Sequence, residues 1–283
     1  MTKPRGRWAD MEAERKIFEP IDLDSVAEAV VVQIERLIIG GVLKGGQKLP
    51  SERELSETMD VSRPKVREAI KILEDRNLLT VRHGEGTFVQ PLAGAALSPA
   101  MIDLFSRHPS AFYDYLEFRR EVEGFAAFAA AQRATAEDKE ILRRHLASME
   151  EAHALGDAAR EAEVDVAFHI AIVDAAHNAM LIHMMASIYE LMTRGVFYNR
   201  KYLVDLADAR DVLLEQHRAI AEGVLSGDPE AADRAAEAHL DFVESRFRDS
   251  DDANRRSSLA RKRLLLADSP HRALRSRAAR SVA

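Results

Sequence analysis

The sequence predicts a mainly α-helical chain in two unequal parts, a short helical module closed by a β-hairpin and then an all-α bundle. Three observations predict it. Apolar residues recur at helical spacing over most of the 283 residues. Strand-like runs stand out only early, around His83-Gly84-Glu85-Gly86, with glycines where a hairpin needs positive φ. Ala, Leu and Val dominate the apolar content and aromatic residues make up only 6%, which favours helices over a β-sandwich.

The bulk composition narrows the function classes. There are no cysteines, so disulfides, cysteine zinc sites and thiol catalysis are excluded, and a reducing compartment is compatible. Lys3, Arg5 and Arg7 have no apolar segment behind them, so no signal peptide is expected. No run approaches the ~18 apolar residues that span a bilayer. A soluble, cytoplasmic protein with no membrane partner is expected. The net charge of −7 argues mildly against nucleic acid, but Arg63, Lys65, Arg67 and Lys71 lie together with Glu68 as the one acid between them. Salt confines charge effects to about 8–10 Å, so the local patch matters more than the total.

Each element follows in order. Residues 1–20 are polar and are expected to form a flexible arm. A helix is predicted from Leu23, with Ser25 as a cap and Val26, Val30, Ile34, Leu37 and Ile38 at helical spacing, ending at Gly40-Gly41. Val42 to Pro50 is a loop. Ser51-Glu52-Arg53-Glu54 has the form of a capping box and starts a short helix. Asp60-Val61 turns the chain. Ser62 caps a third helix to about Asp75, with Pro64 tolerated in the first turn. Val66, Ile70 and Leu73 mark its buried face, and Arg63, Arg67 and Lys71 repeat at i, i+4 on another. Leu78 to Arg82 and Thr87 to Gln90 complete a hairpin. Helix, short helix, turn, helix and hairpin make a winged helix-turn-helix over 21–90.

Residues 91–97 are small and are expected to link this module to a helical domain over 98–248. Predicted helices there run near Ser110–Gln132, Thr135–Leu155, Asp157–Ala176, Ala179–Leu203, Asp208–Leu225 and Asp228–Phe247. The stripe Met184, Met185, Leu191 and Met192 is expected in the core. Residues 249–283 carry nine basic and four acidic side chains and are expected to be disordered or a short helix with a basic face.

A helix-turn-helix places the start of its second helix in the major groove, here Ser62-Arg63-Pro64-Lys65-Val66-Arg67. Arg63 and Arg67 are candidates to read guanine O6 and N7 with a bidentate fork. Arg53 reaches a base edge or a phosphate. Ser62, Lys65 and Lys71 suit phosphates, which set register without reading sequence. His83, Gly84 and Gly86 form a wing tip suited to the minor groove. The plain alternative is a solvated basic face. The ordered capping box, turn and glycine wing favour double-stranded DNA.

Three motifs in order, Gly-Gln-Lys-Leu-Pro-Ser-Glu-Arg-Glu-Leu from Gly46, Val-Ser-Arg-Pro-Lys-Val-Arg-Glu-Ala-Ile from Val61 and Gly-Glu-Gly-Thr-Phe-Val to Val89, resemble the GntR family of bacterial regulators. Glu117-Phe118-Arg119 with Glu123, Asp165-Val166-Ala167-Phe168-His169, Asn178, Glu215-Gln216-His217-Arg218 and His239-Leu240 resemble the FCD ligand-binding domain of its FadR subfamily. Ser106-Arg107-His108-Pro109 and Ala175-Ala176-His177-Asn178 give the chain the look of the pyruvate dehydrogenase complex repressors and related lactate-responsive regulators.

The resemblance implies a divalent metal held by Asp165, His169, His217 and His239, with Zn²⁺, Ni²⁺ and Mn²⁺ left open. The spacing agrees, because Asp165 and His169 share a helix face and the other two sit on later helices of a bundle. It also implies a small 2-oxo or 2-hydroxy acid as effector, with Arg119 and Asn178 as binding residues, although Arg119 can instead pair with Glu123 and Asn178 can cap a helix. A homodimer on two operator half-sites follows from the family and from the few bases one helix reads. His145, His153, His177 and His183 are expected at the surface or in hydrogen bonds. Two other classes stay open: a metal-dependent enzyme acting on a small carboxylate, and a ligand-independent DNA binder. The expected function is a repressor, not an enzyme.

Overall fold

The computed structural model describes residues 24–92, 99–108, 110–193 and 209–267. The expected arm at 1–20, most of the linker, the end of the helix expected to reach Leu203 and the chain beyond Ala267 lie outside them. The chain divides into two compact units, 1–92 and 93–283.

In the first unit α1 (Asp24–Ile39), α2 (Glu52–Met59) and α3 (Arg63–Asp75) precede the strands β1 (Leu79–Arg82) and β2 (Gly86–Val89). Helix α1 already includes Ser25, so that residue lies within the first turn and not at the cap. At α2 the capping box forms as the motif requires: Ser51 N–H donates to Glu54 Oε2 at 2.8 Å and Glu54 N–H to Ser51 Oγ at 3.3 Å. Asp60 ends α2 in the left-handed region, φ 53°, and so makes the turn between the two helices. Ser62 occupies the N-cap of α3 with no side-chain capping bond. Val30, Val31, Ile34 and Ile38 from α1 pack with Val66, Ile70 and Leu73 from α3, closed below by Leu79 and Val89.

The strands are antiparallel, with Leu79 opposite Val89 and Arg82 opposite Gly86. Gly86 thus begins the second strand, one residue earlier than the sequence pattern placed it. Its φ of 119° favours glycine there, and a Cβ would also have to displace the end of the Lys48 side chain, 2.7 Å away. The segment before α2 is more than a loop. Leu49 N–H donates to Thr87 O and Val89 N–H to Gln47 O, so it is stitched to the wing.

The second unit is helical: α4 (Pro99–Arg107), α5 (Ser110–Arg133), α6 (Ala136–Leu155), α7 (Ala158–Ala175), α8 (Ala179–Thr193), α9 (Arg210–Ser226) and α10 (Pro229–Ala267). Thr135 and Asp157 cap α6 and α7 through their side chains, as their positions predicted. Small residues on α5, Ala126, Ala127 and Ala130, are fully buried and let neighbouring helices approach closely. Met185 and Leu191 are core, but Met184 is 39% exposed because it lies one position round the helix from Met185. Helix α10 runs far past Phe247, where the pattern placed its end. No Gly or Pro interrupts it between Pro229 and Ala267, and Ala, Leu and Arg are strong helix formers. No described helix is long and apolar enough to cross a membrane.

Gly223 marks a close approach of two helix backbones. A Cβ there would stand 2.6 Å from the backbone of Ala232, across the α9–α10 interface. Gly223→Ala gains helix propensity but must push backbone apart, so a net loss of about 1–3 kcal/mol is expected. A urea midpoint at or above that of the parent would show that the helices slide at no cost.

Candidate metal centre and nucleic-acid interface

Three histidines and an aspartate of the bundle come together from three helices. Asp165 and His169 sit one turn apart on α7, His217 on α9 and His239 on α10. One ligand atom from each lies within 4.8 Å of all the others. His217 Nε2 stands 3.1 Å from Asp165 Oδ1 and 3.3 Å from His169 Nε2. The three histidines are each 3% exposed, while the Asp165 side chain is partly exposed. Ligands facing each other across one ion at ~2.2 Å stand ~4.4 Å apart, so the cluster is on the scale of a single divalent ion.

Electrostatics favour the ligating forms of His239 and Asp165. Burial together with the neighbouring His217 and His169 pushes the His239 imidazole well below its ordinary range, so it is neutral. Burial works to raise the Asp165 carboxyl, but the His217 hydrogen bond and the surrounding imidazoles outweigh it and keep it ionised. An N₃O set of three imidazoles and a carboxylate fits Zn²⁺, Ni²⁺ or Mn²⁺.

Behind the cluster lies a second layer, in which the sequence had offered roles for Arg119 and its pairing with Glu123 but none for Gln216 or for Glu123 at His169. Glu123 Oε2 stands 2.9 Å from His169 Nδ1, and Arg119 Nε donates to Glu123 Oε1 at 2.5 Å. Gln216 Oε1 stands 3.1 Å from His239 Nδ1. These contacts engage the Nδ1 atoms and turn Nε2 towards the cluster. Arg119 and Glu123 are both buried, and the guanidinium carbon lies 5.6 Å from the Tyr115 ring and 5.7 Å from that of Tyr189. Burial raises the Glu123 carboxyl, yet Arg119 and His169 hold it well below the usual range. The Tyr115 phenol is pushed up to about 12, by burial first. A small cavity beside His169 is walled by Ala126, Ala127, Ala236 and Ile220, with Glu123 and the buried Tyr189 on its polar side.

Arg119 therefore makes the i, i+4 pair with Glu123 that its spacing allowed. Asn178 accepts the Leu181 N–H at 3.2 Å through Oδ1 and caps α8. His153 and His177 bond to carboxylates instead of joining the cluster, to Asp211 at 2.8 Å and to Asp138 at 2.7 Å.

On the first unit, Ser62, Arg63 and Arg67 are exposed at the start of α3, Lys65 is half-buried, and His83 and Gly84 lie exposed at the wing tip, with Gly86 half-buried behind them. Arg53 is exposed and weakly paired with Glu57 at 3.7 Å. Arg67 is the tethered one: its Nη2 donates to Glu52 Oε2 at 2.7 Å and its Nε to Oε1 at 3.0 Å. Glu52 follows the capping serine and was legible only as part of that motif.

Comparison with known proteins agrees with both units. Residues 26–89 match the model of the bacterial regulatory proteins of the gntR family, and residues 114–242 that of the FCD domain. The chain is 35% identical over 228 residues to the Glc operon transcriptional activator of Escherichia coli, covering 79% of this chain and 89% of that one. It is 31% identical over 231 residues to the putative L-lactate dehydrogenase operon regulatory protein of the same species, covering 80% and 88%. A solved structure described as Streptococcus agalactiae GntR covers 77% of this chain and 99% of its own, at 27% identity and a TM-score of 0.47. The exposed helix start, the hairpin wing and the helical unit behind them are those of a DNA-binding transcriptional regulator, and the chain belongs to the gntR family of bacterial regulatory proteins, with an FCD domain.

Proposed function

We infer that this regulator is a cytoplasmic repressor whose affinity for operator DNA is controlled by a small 2-oxo or 2-hydroxy acid held at a divalent ion in the helical unit. The observation that carries this reading is the convergence of Asp165, His169, His217 and His239 on one point, with Arg119 buried behind them. Bound there, the ion supplies a Lewis-acid anchor for a carboxylate. Arg119 spends Nε on Glu123, and a guanidinium has further donors on its two Nη atoms to orient the acid. Asn178 has committed Oδ1 to its cap and offers the acid only its amide nitrogen. The relative named for an L-lactate dehydrogenase operon supports the same class of effector.

At the DNA, Arg63 and Arg67 are assigned to bases, Arg53 to a base edge or a phosphate, Ser62, Lys65 and Lys71 to phosphates, and His83, Gly84 and Gly86 to the wing contact. Two copies acting as a homodimer on adjacent half-sites supply the specificity that one short helix lacks. The acid changes DNA affinity only by binding the DNA-bound and free states unequally.

Fluorescence anisotropy on duplex DNA from upstream of the protein's own gene, titrated with pyruvate and with L-lactate, tests this reading. Saturable binding released by one of the acids is expected. Binding indifferent to both would sink the effector assignment, and a promoter fusion that falls in a deletion strain would overturn repression.

The Glu52–Arg67 pair gives a finer test. Glu52→Gln removes a negative charge beside the DNA and frees Arg67, so non-specific affinity is expected to rise while discrimination against a substituted base pair falls about 10-fold. Unchanged discrimination would show that the pair plays no part in orienting Arg67.

A further inference from the structure

The last part of α10 has no role in the fold or at the cluster. From Arg255 to Leu264 every side chain is exposed, so this stretch of helix buries no face against the described residues. An isolated helix of this length is marginal in water and gains most of its stability from a partner. In a chain of net charge −7, the nine residues from Arg255 to Arg263 carry five basic side chains and no acid, and none follows before Asp268. Arg255 is paired back to Asp252. Arg256, Arg261, Lys262 and Arg263 form no ion pair with any described residue. At helical spacing Arg255, Arg256, Lys262 and Arg263 lie within one broad face around Leu259, and Arg261 points to the other side.

We propose that this segment, 255–263, is a second DNA-binding element that contacts phosphates outside the site read by the helix-turn-helix. The charge complementarity identifies the occupant: a run of exposed cations on a protein that already binds a polyanion gains energy by releasing counterions, with no base-specific contact. A second copy of the same segment is disfavoured, because the basic stretches repel wherever they lie side by side. The segment then adds affinity without adding sequence preference, and lengthens the stretch of duplex that one molecule covers.

The test uses the full chain and a variant with Arg255, Arg256, Arg261, Lys262 and Arg263 all changed to Gln, which keeps helix propensity at exposed positions. Binding to a mixed-sequence duplex is followed by anisotropy as salt is raised. Each lost phosphate contact lowers the slope of log K against log salt by about 0.9, so a slope shallower by roughly 2–4 is expected. Relative preference for the upstream DNA over the mixed duplex stays unchanged or improves. Equal slopes and affinities would overturn the proposal. So would a weaker complex whose loss is traced by sedimentation to dissociation of the protein into single chains, since that places a second copy on the segment.

Discussion

Replacing Glu123 with alanine is expected to lower the unfolding free energy of the helical unit by about 3–5 kcal/mol, the usual cost of breaking a buried ion pair from one side. The carboxylate lies between the Arg119 guanidinium and the His169 ring, and all three side chains are 3–4% exposed. Without it Arg119 keeps its charge, and among the described residues no other carboxylate pairs with it; water must enter or the helices must part. The His169 ring also loses the acceptor at its Nδ1. Glu123→Gln keeps the shape and one acceptor, so a smaller loss is expected. Replacing Arg119 and Glu123 together with Met and Leu is expected to recover much of the stability, because the charge and its counterpart leave together. Urea unfolding of the four proteins checks this. A midpoint for Glu123→Ala equal to that of the parent would contradict the buried-pair account.

Chelation is expected to lower the melting temperature of the parent by roughly 5–10 °C. An ion present at about a hundredfold its Kd adds ~2.7 kcal/mol to the folded state, and a unit of this size loses roughly 2–4 °C per kcal/mol. The variant with Asp165→Ala and His217→Ala has lost two of four ligands and is expected to melt at one temperature with or without chelator. Calorimetry in EDTA, and again after adding Zn²⁺, Ni²⁺ or Mn²⁺, reads both arms. A parent whose transition ignores all three metals would remove the ion from the account. An equal shift in parent and variant would place it elsewhere.

Local signals were legible in the sequence wherever the chain makes its own contacts. The capping box at Ser51 and Glu54 closes within three residues, and the wing glycines answer to backbone angles, so both are read directly. The i, i+4 pair of Asp165 and His169 on α7 was visible for the same reason. His217 and His239 came from family likeness, because only the packing of α9 and α10 against α7 brings them to one point. Glu123 was in view only as a partner for Arg119 and Gln216 without a role, since a contact with a histidine on another helix leaves no periodic trace. The end of α10 was misplaced because the buried stripe stops at Phe247 while the helix does not. Burial patterns mark where a helix packs; propensity and the absence of Gly and Pro decide how far it runs.

The most direct test of a metal-borne effector site that controls DNA binding is one release experiment on two proteins. Parent and the Asp165→Ala, His217→Ala variant are each bound to labelled upstream duplex in the presence of Zn²⁺, Ni²⁺ or Mn²⁺ and titrated with pyruvate and L-lactate. The parent is expected to leave the DNA at saturating concentrations of one acid, and the variant to stay bound at all of them with its own DNA affinity intact. Release of both proteins at the same acid concentration would contradict the account, because the acid would then act at a site that does not involve the four ligands.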